Sequence, residues 1–244
     1  MIAPGFSVMV KRLYRRDLRL VLELLVLFGL GWVFLALAAL ATRATATDFD
    51  KAVLHLLRSD AAGLNPVGPA WLESTMVNIT ALGSGPVATL VVLLVFGFLL
   101  LAGKPRLAAL VVACSVGSAL VNYWLKLFFD RGRPTVISIL QPASGLSFPS
   151  GHAMISVALY LTLGVLIAGS LQRRALRIYV VAAAALLAFL IGFSRMYLGV
   201  HYPTDVLAGW TVGLAWALVC GLVERTLQRR GAVEPGAGDD VTVR

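Results

Sequence analysis

The chain has 244 residues, of which 59% are hydrophobic and only 14% charged, with a mean hydropathy of +0.87; soluble domains run at about 45–50% apolar residues. That excess excludes an ordinary soluble domain and calls for a lipid solvent. The formal net charge of +9 comes from short Lys and Arg clusters between apolar runs, not from one continuous basic stripe, so it speaks for membrane topology and against a nucleic-acid partner.

From the N-terminus, Lys11, Arg12, Arg15 and Arg16 precede an apolar run as in a signal peptide, but residues 18–40 exceed the roughly 7–15-residue core of such a signal. A retained signal-anchor helix follows. Six segments have the length and apolarity to cross a bilayer: 18–41, 85–102, 107–128, 153–168, 176–193 and 206–223. The fourth is short, and extension from Ser150 to Gln172 completes it.

Between the first two spans, Phe49, Val53, Leu56 and Leu57 approximate a helical stripe and predict a helix on the membrane surface, with Trp71 and Leu72 at the return to the interface or at an early start of the second span. Cys114 and Cys220 lie in apolar runs with no CxxC spacing and are expected as small packing residues. The expectation is an all-α, six-span bundle: an N-terminal segment 1–17, a membrane domain 18–229, and a flexible tail 230–244 containing Gly231, Pro235, Gly236 and Gly238.

Lys and Arg are retained on the cytoplasmic side of short connections. Six crossings put both termini on one side, which then carries 14 of the 21 basic residues, including the cluster Arg173, Arg174 and Arg177; the opposite side carries seven. Cytoplasmic termini are expected, in a bacterial inner membrane.

On the opposite, outer face three polar segments fall together at span ends: 126–134, from Lys126 to Arg133 and Pro134; 149–152, Pro-Ser-Gly-His; and 194–205, from Ser194 and Arg195 through His201 to Asp205. Lys126, Arg133 and Arg195 suit phosphate oxygens, Arg as a rigid fork and Lys as a point charge. Ser150 and Gly151 precede a helix, where free backbone N–H groups bind anions. His201 stands four residues before Asp205, so the carboxylate can accept from one ring nitrogen and leave the other free to attack. His201 is therefore the expected nucleophile, and His152 the acid that protonates the leaving oxygen and later activates water. No carboxylate cluster resembles a metal site, so no metal and no cofactor are expected.

These segments resemble the three signatures of the type 2 phosphatidic acid phosphatase family, K-x6-R-P, P-S-G-H and S-R-x5-H-x3-D, with every fixed position filled in the family's order. Outside residues 126–205 the likeness is one of hydropathy and layout. The resemblance implies a helical core shared with vanadium haloperoxidases, a phosphohistidine on His201, acid–base work by His152, and phosphate held by Lys126, Arg133, Arg195, Ser150 and Gly151, with Ser194 less clearly included. The implied partner is a phosphorylated membrane lipid: phosphatidic acid, phosphatidylglycerophosphate or undecaprenyl diphosphate. A phosphotransferase with the same pocket and a non-catalytic phospholipid carrier are the rival readings.

Plainer roles are expected elsewhere. Arg43, Arg106 and Arg131 read as snorkelling anchors. Asp130 reads as a partner of Arg131 or Arg133, and His55 as structural. Glu23 is expected to pair with Arg19 across one helical turn. Tyr123, Trp124, Tyr197 and Tyr202 read as interfacial aromatics, and Asn122 as a helix-packing residue.

Overall fold

The structure, a computed structural model, describes residues 4–41, 47–141 and 145–233, with side chains in the first stretch from residue 18 onward. It is helical, with no strand among the described residues. α1 (Pro4–Ala41) continues the first span back through the basic N-terminal segment. Arg43 and the tail beyond Val233 lie outside the described residues.

Thr47 caps α2 (Asp48–Leu56), its hydroxyl accepting from Asp50 N at 3.0 Å. α2 buries Asp50 and Leu54 and leaves Phe49 and Leu56 exposed. Leu57 of the expected stripe packs on the core while Phe49 and Leu56 stay outward, and Asp50 turns inward because a buried cation meets it there. α3 (Ala70–Ala81) and α4 (Gly85–Leu101) meet at a 49° bend, the geometry of one broken span or of a re-entrant loop. Trp71 lies on the first turn of α3. Gly83, Ser84, Gly85 and Pro86 explain the break, since Pro86 has no N–H for the preceding turn.

α5 (Pro105–Phe129), α6 (Gly151–Ser170), α7 (Arg174–Tyr197) and α8 (Pro203–Arg229) supply the remaining long apolar helices. Within α6, residues Val157–Leu161 wind as a π-helix. Leu24, Phe28, Trp32, Leu94, Phe98 and Leu186 point outward and exposed, a belt that only hydrocarbon satisfies. The chain is an integral membrane protein with, among the described residues, five long apolar helices, or six candidate spans when the bent pair counts as one.

α6 is central, packed on α5, α7 and α8, while α1 lies along α8. Its contact with α8 is close because of Gly209 and Gly213: a Cβ on Gly209 would sit 2.6 Å from Ser150 O, and one on Gly213 2.5 Å from Met154 O. This is the small-residue packing that membrane helices use in place of hydrophobic burial. Phe34 of α1, Phe129 at the end of α5 and Phe148 in the following loop stack within 6.0 Å of one another, fixing the loop to the bundle. The Arg19–Glu23 pair forms at 3.1 Å, and Arg225 of α8 joins Glu23 at 2.9 Å. Cys114 and Cys220 are free thiols whose side chains meet across α5 and α8.

Candidate active site

The site gathers at one end of the bundle, where α5 and α7 finish and α6 and α8 begin. Asp130 ends α5 in the left-handed region, at φ 44°, with its N–H bonded to Lys126 O. The chain that follows is tied down by Ser147, whose N–H donates to Arg131 O and whose hydroxyl donates to Gly132 O, both at 2.7 Å. Ser150 starts α6 and its N–H donates to Asp205 O at 2.9 Å. The starts of α6 and α8 are thereby joined backbone to backbone. A Cβ on Gly151 would stand 3.0 Å from Asn122 Oδ1, so this residue's smallness lets α5 and α6 approach; Asn122, buried, also contacts Met154 Sδ at 3.6 Å and is a packing residue.

His201 occupies the turn between α7 and α8 and is buried. Its Nδ1 lies 3.4 Å from Asp205 Oδ2 and its Nε2 3.4 Å from Arg133 Nη1. Both exceed the usual 2.7–3.2 Å hydrogen-bond range, in keeping with catalytic contacts that tighten when substrate binds. Asp205 is fixed independently: Oδ2 accepts from Tyr202 N at 2.9 Å and Oδ1 from Arg131 Nη1 at 2.6 Å. Burial pushes the His201 imidazole down to about 4; the Asp205 bond and charge oppose this, while Arg195 and Lys126 deepen it. The ring is therefore neutral at ordinary pH, with Nδ1–H toward Asp205 and the Nε2 lone pair toward the cations.

Arg133 donates from Nη1 to Val200 O at 2.8 Å and from Nε to Gly145 O at 3.1 Å. Arg195, on the last turn of α7, donates from Nη1 to Thr80 Oγ1 at 2.9 Å and to Gln141 Oε1 at 3.3 Å. Lys126 Nζ donates to Leu146 O. Their charges all reach His152 on the first turn of α6, which lies over Gly83 at the α3–α4 break. Arg58 Nε, Ser150 Oγ and Arg195 Nε are buried with no protein partner among the described residues. Buried polar atoms are normally bonded, and an oxyanion beside the last two would satisfy them. Ser194 does not join them; its hydroxyl donates back to Ile191 O at 2.7 Å. Among the described residues no group of three or more His, Cys, Asp or Glu is arranged to hold a metal.

The structure corrects three plain readings. Arg131 is no snorkelling anchor: it is buried, bonded to Asp205, to Asp50 at 2.9 Å and to Thr204 Oγ1 at 2.7 Å, with its guanidinium 4.3 Å from the Tyr202 ring centroid. Asp130 is accordingly not its ion-pair partner. Tyr197 and Tyr202 are buried, the first donating to Val67 O at 2.9 Å, whereas Tyr123 and Trp124 are exposed. Arg58 has no signal in the sequence; it is buried and donates to Leu57 O, Tyr197 O and Ser138 O, tying the segment after α2 to the end of α7.

A neutral imidazole braced by a carboxylate, a second imidazole and three cations constitute the parts for phosphoryl transfer by a covalent histidine. Comparison with known proteins agrees in kind. The chain is 31% identical over 196 residues to phosphatidylglycerophosphatase B of Bacillus subtilis, covering 79% of this chain and 92% of that protein. It is 35% identical over 91 residues to an undecaprenyl-diphosphatase of Sulfolobus acidocaldarius, covering 35% and 36%. The crystal structure of a transmembrane PAP2-type phosphatidylglycerolphosphate phosphatase from Bacillus subtilis superposes with a TM-score of 0.73 at 27% identity, covering 83% of this chain and 98% of that one. LpxE of Aquifex aeolicus superposes with a TM-score of 0.51 at 25% identity, covering 72% and 93%. The profile of the PAP2 superfamily matches residues 106–229, and with it the chain belongs to that superfamily.

Proposed function

We propose that the protein hydrolyses a phosphate monoester or diphosphate of a membrane lipid through a phosphohistidine on His201. The observation that carries this reading is the placement of a buried, neutral imidazole between Asp205 and Arg133, beside the open donors of Ser150 and Arg195. His201 Nε2 attacks phosphorus, and the bond from phosphorus to the lipid oxygen breaks. His152 delivers a proton to that oxygen; a phosphate dianion beside it favours the protonated ring. Water, deprotonated by His152, then attacks the phosphohistidine, releasing phosphate and restoring His201. Lys126, Arg133 and Arg195 stabilise the spread negative charge of the transferring group, as fixed cations do in phosphoryl transfer.

A lipid substrate is supported by a cavity of about 290 Å³ between α4, α5, α6 and α8, lined by residues such as Val92, Ser115, Ile155 and Trp216. Ile155, in this lining, stands three residues after His152 on α6, which puts the apolar cavity on the helix that carries the proposed acid. The more extensive likeness is to a phosphatidylglycerophosphatase, which makes phosphatidylglycerophosphate the first substrate to try, with phosphatidic acid and undecaprenyl diphosphate beside it. We read residues 18–229 as the catalytic unit, in a bacterial inner membrane, with the termini cytoplasmic and the site on the outer face, a reading supported by the Lys and Arg asymmetry of the connections. Phosphate release from these lipids by the purified protein tests the reading; appearance of a phosphorylated acceptor in place of free phosphate contradicts it.

A further inference from the structure

We propose that Asp50 is a positioning residue for the nucleophile, acting on His201 through Arg131 and Asp205. The inference rests on the reading of His201 above, and goes beyond it to a carboxylate lying before the family-matched residues 106–229.

The contacts form one chain. Asp50 Oδ2 accepts from Arg131 Nη2 at 2.9 Å; Arg131 Nη1 donates to Asp205 Oδ1 at 2.6 Å; Asp205 Oδ2 faces His201 Nδ1 at 3.4 Å. Thr204 locks the same members a second time. Its hydroxyl donates to Asp50 Oδ2 at 3.0 Å and accepts from Arg131 at 2.7 Å, and its backbone N–H donates to Asp50 Oδ1 at 3.0 Å. All of these side chains are buried, and the Tyr202 ring covers the guanidinium.

Charge counting separates a positioning role from a purely structural one. Burying ions is costly, and a single Arg–Asp pair already neutralises both members. Here a second buried carboxylate shares the cation, so Asp50, Arg131 and Asp205 together retain one negative charge. That charge is what Nδ1–H of His201 needs for the ring to gain electron density and hold one tautomer while Nε2 attacks. With Asp50 neutral, Arg131 is drawn wholly to Asp205 and the imidazole loses part of its brace.

The groups facing His201 are Asp205 of α8, Arg195 of α7, Lys126 of α5, His152 of α6 and Arg133 of the loop. Loss of negative charge behind Asp205 therefore lets the cations dominate, and the acid limb of the kcat/KM profile moves to lower pH.

The test compares wild type, Asp50→Asn, Asp50→Glu and His201→Ala, each purified in detergent, with dioctanoyl phosphatidic acid as substrate. Asp50→Asn is expected to lower kcat by about 10- to 100-fold, as misplaced catalytic groups do, with little change in KM and an acid limb displaced downward. Asp50→Glu keeps the charge on a longer arm, so its kcat falls while its acid limb stays in place. Should Asp50→Asn not fold, Asp50→Glu carries the test alone: wild-type kcat in that variant overturns the proposal. So does wild-type kcat and an unmoved acid limb in folded Asp50→Asn beside an inactive His201→Ala. Activity in His201→Ala overturns the nucleophile assignment itself.

Discussion

His201 Nε2 faces Arg133 Nη1 at 3.4 Å, while its Nδ1 faces Asp205 at the same distance. A ring held between a guanidinium and a carboxylate has its tautomer chosen for it, because the cation repels an N–H and the anion attracts one. The nitrogen left with a lone pair is the one beside the phosphate cradle. His152, on a different helix, is free to serve the leaving oxygen. On the proposed mechanism, nucleophile and acid are thus kept distinct by the ends of two separate helices.

That division predicts an intermediate. In His152→Gln the protein retains its nucleophile but lacks the group that protonates the leaving oxygen and activates water, so turnover falls by about 10²- to 10⁴-fold, the usual range for general acid–base groups. With radiolabelled substrate, wild type quenched during turnover is expected to carry phosphate, lost in acid and kept in alkali as an N-linked phosphoryl group is. Unlabelled protein in that experiment contradicts the two-step route.

The buried imidazole also predicts a pH dependence of stability. His201 titrates at 6.5 in the unfolded chain and about 4 in the folded protein, so below 6.5 the unfolded chain takes up a proton that the folded one refuses. The contribution is complete above pH 6.5, declines as pH falls toward 4, and is worth about 3 kcal/mol across that window. Thermal unfolding in detergent at pH 7 and 4.5 should show wild type losing more stability than His201→Gln, and parallel losses contradict the shift.

Arg195 reaches Thr80, Gln141 and an open Nε direction at once, a geometry that needs a planar fork. Arg195→Lys keeps the charge and loses the fork. It should lower kcat/KM by about 10- to 100-fold, equivalent to one or two charge-assisted hydrogen bonds, with the protein still folded. Wild-type kcat/KM would show that charge alone suffices at this position.

Gly209 holds the start of α6 against α8, with only 2.6 Å between its missing Cβ and Ser150 O. Because the neighbour is backbone, Gly209→Val has to move the helix start. The expected cost is about 1–3 kcal/mol of stability, with a loss of activity larger than the loss of folded protein, measured by size exclusion and phosphate release. Unaltered activity per folded molecule contradicts the role given to this contact.

What was legible in the sequence was local. His201 and Asp205 are one helical turn apart, Ser150 and His152 share one helix start, and the apolar runs matched hydrocarbon thickness, so spacing alone brought these features forward. Arg131 reads as an anchor because its partners are distant: Asp50 lies 81 and Thr204 73 positions away, and no periodicity links them. The inward turn of Asp50 has no signal in the apolar stripe of its own helix; only the buried cation accounts for it. Tyr197 and Tyr202 read as interfacial because aromatic residues near span ends usually lie there, yet Val67 and Leu54 pack on them. The α3–α4 break and the Gly209–Gly213 pair did carry sequence signals, Gly83 to Pro86 and small residues four apart, that hydropathy alone does not register.

The most direct test of the account is inorganic phosphate release by the detergent-purified protein in EDTA, with phosphatidylglycerophosphate, phosphatidic acid and undecaprenyl diphosphate, beside His201→Ala. Because Lys126, Arg133 and Arg195 supply the positive charge, wild type should release phosphate from at least one of these lipids without added divalent metal, and His201→Ala from none. Release by His201→Ala at the wild-type rate, or strict dependence on Mg²⁺, would contradict the phosphohistidine mechanism.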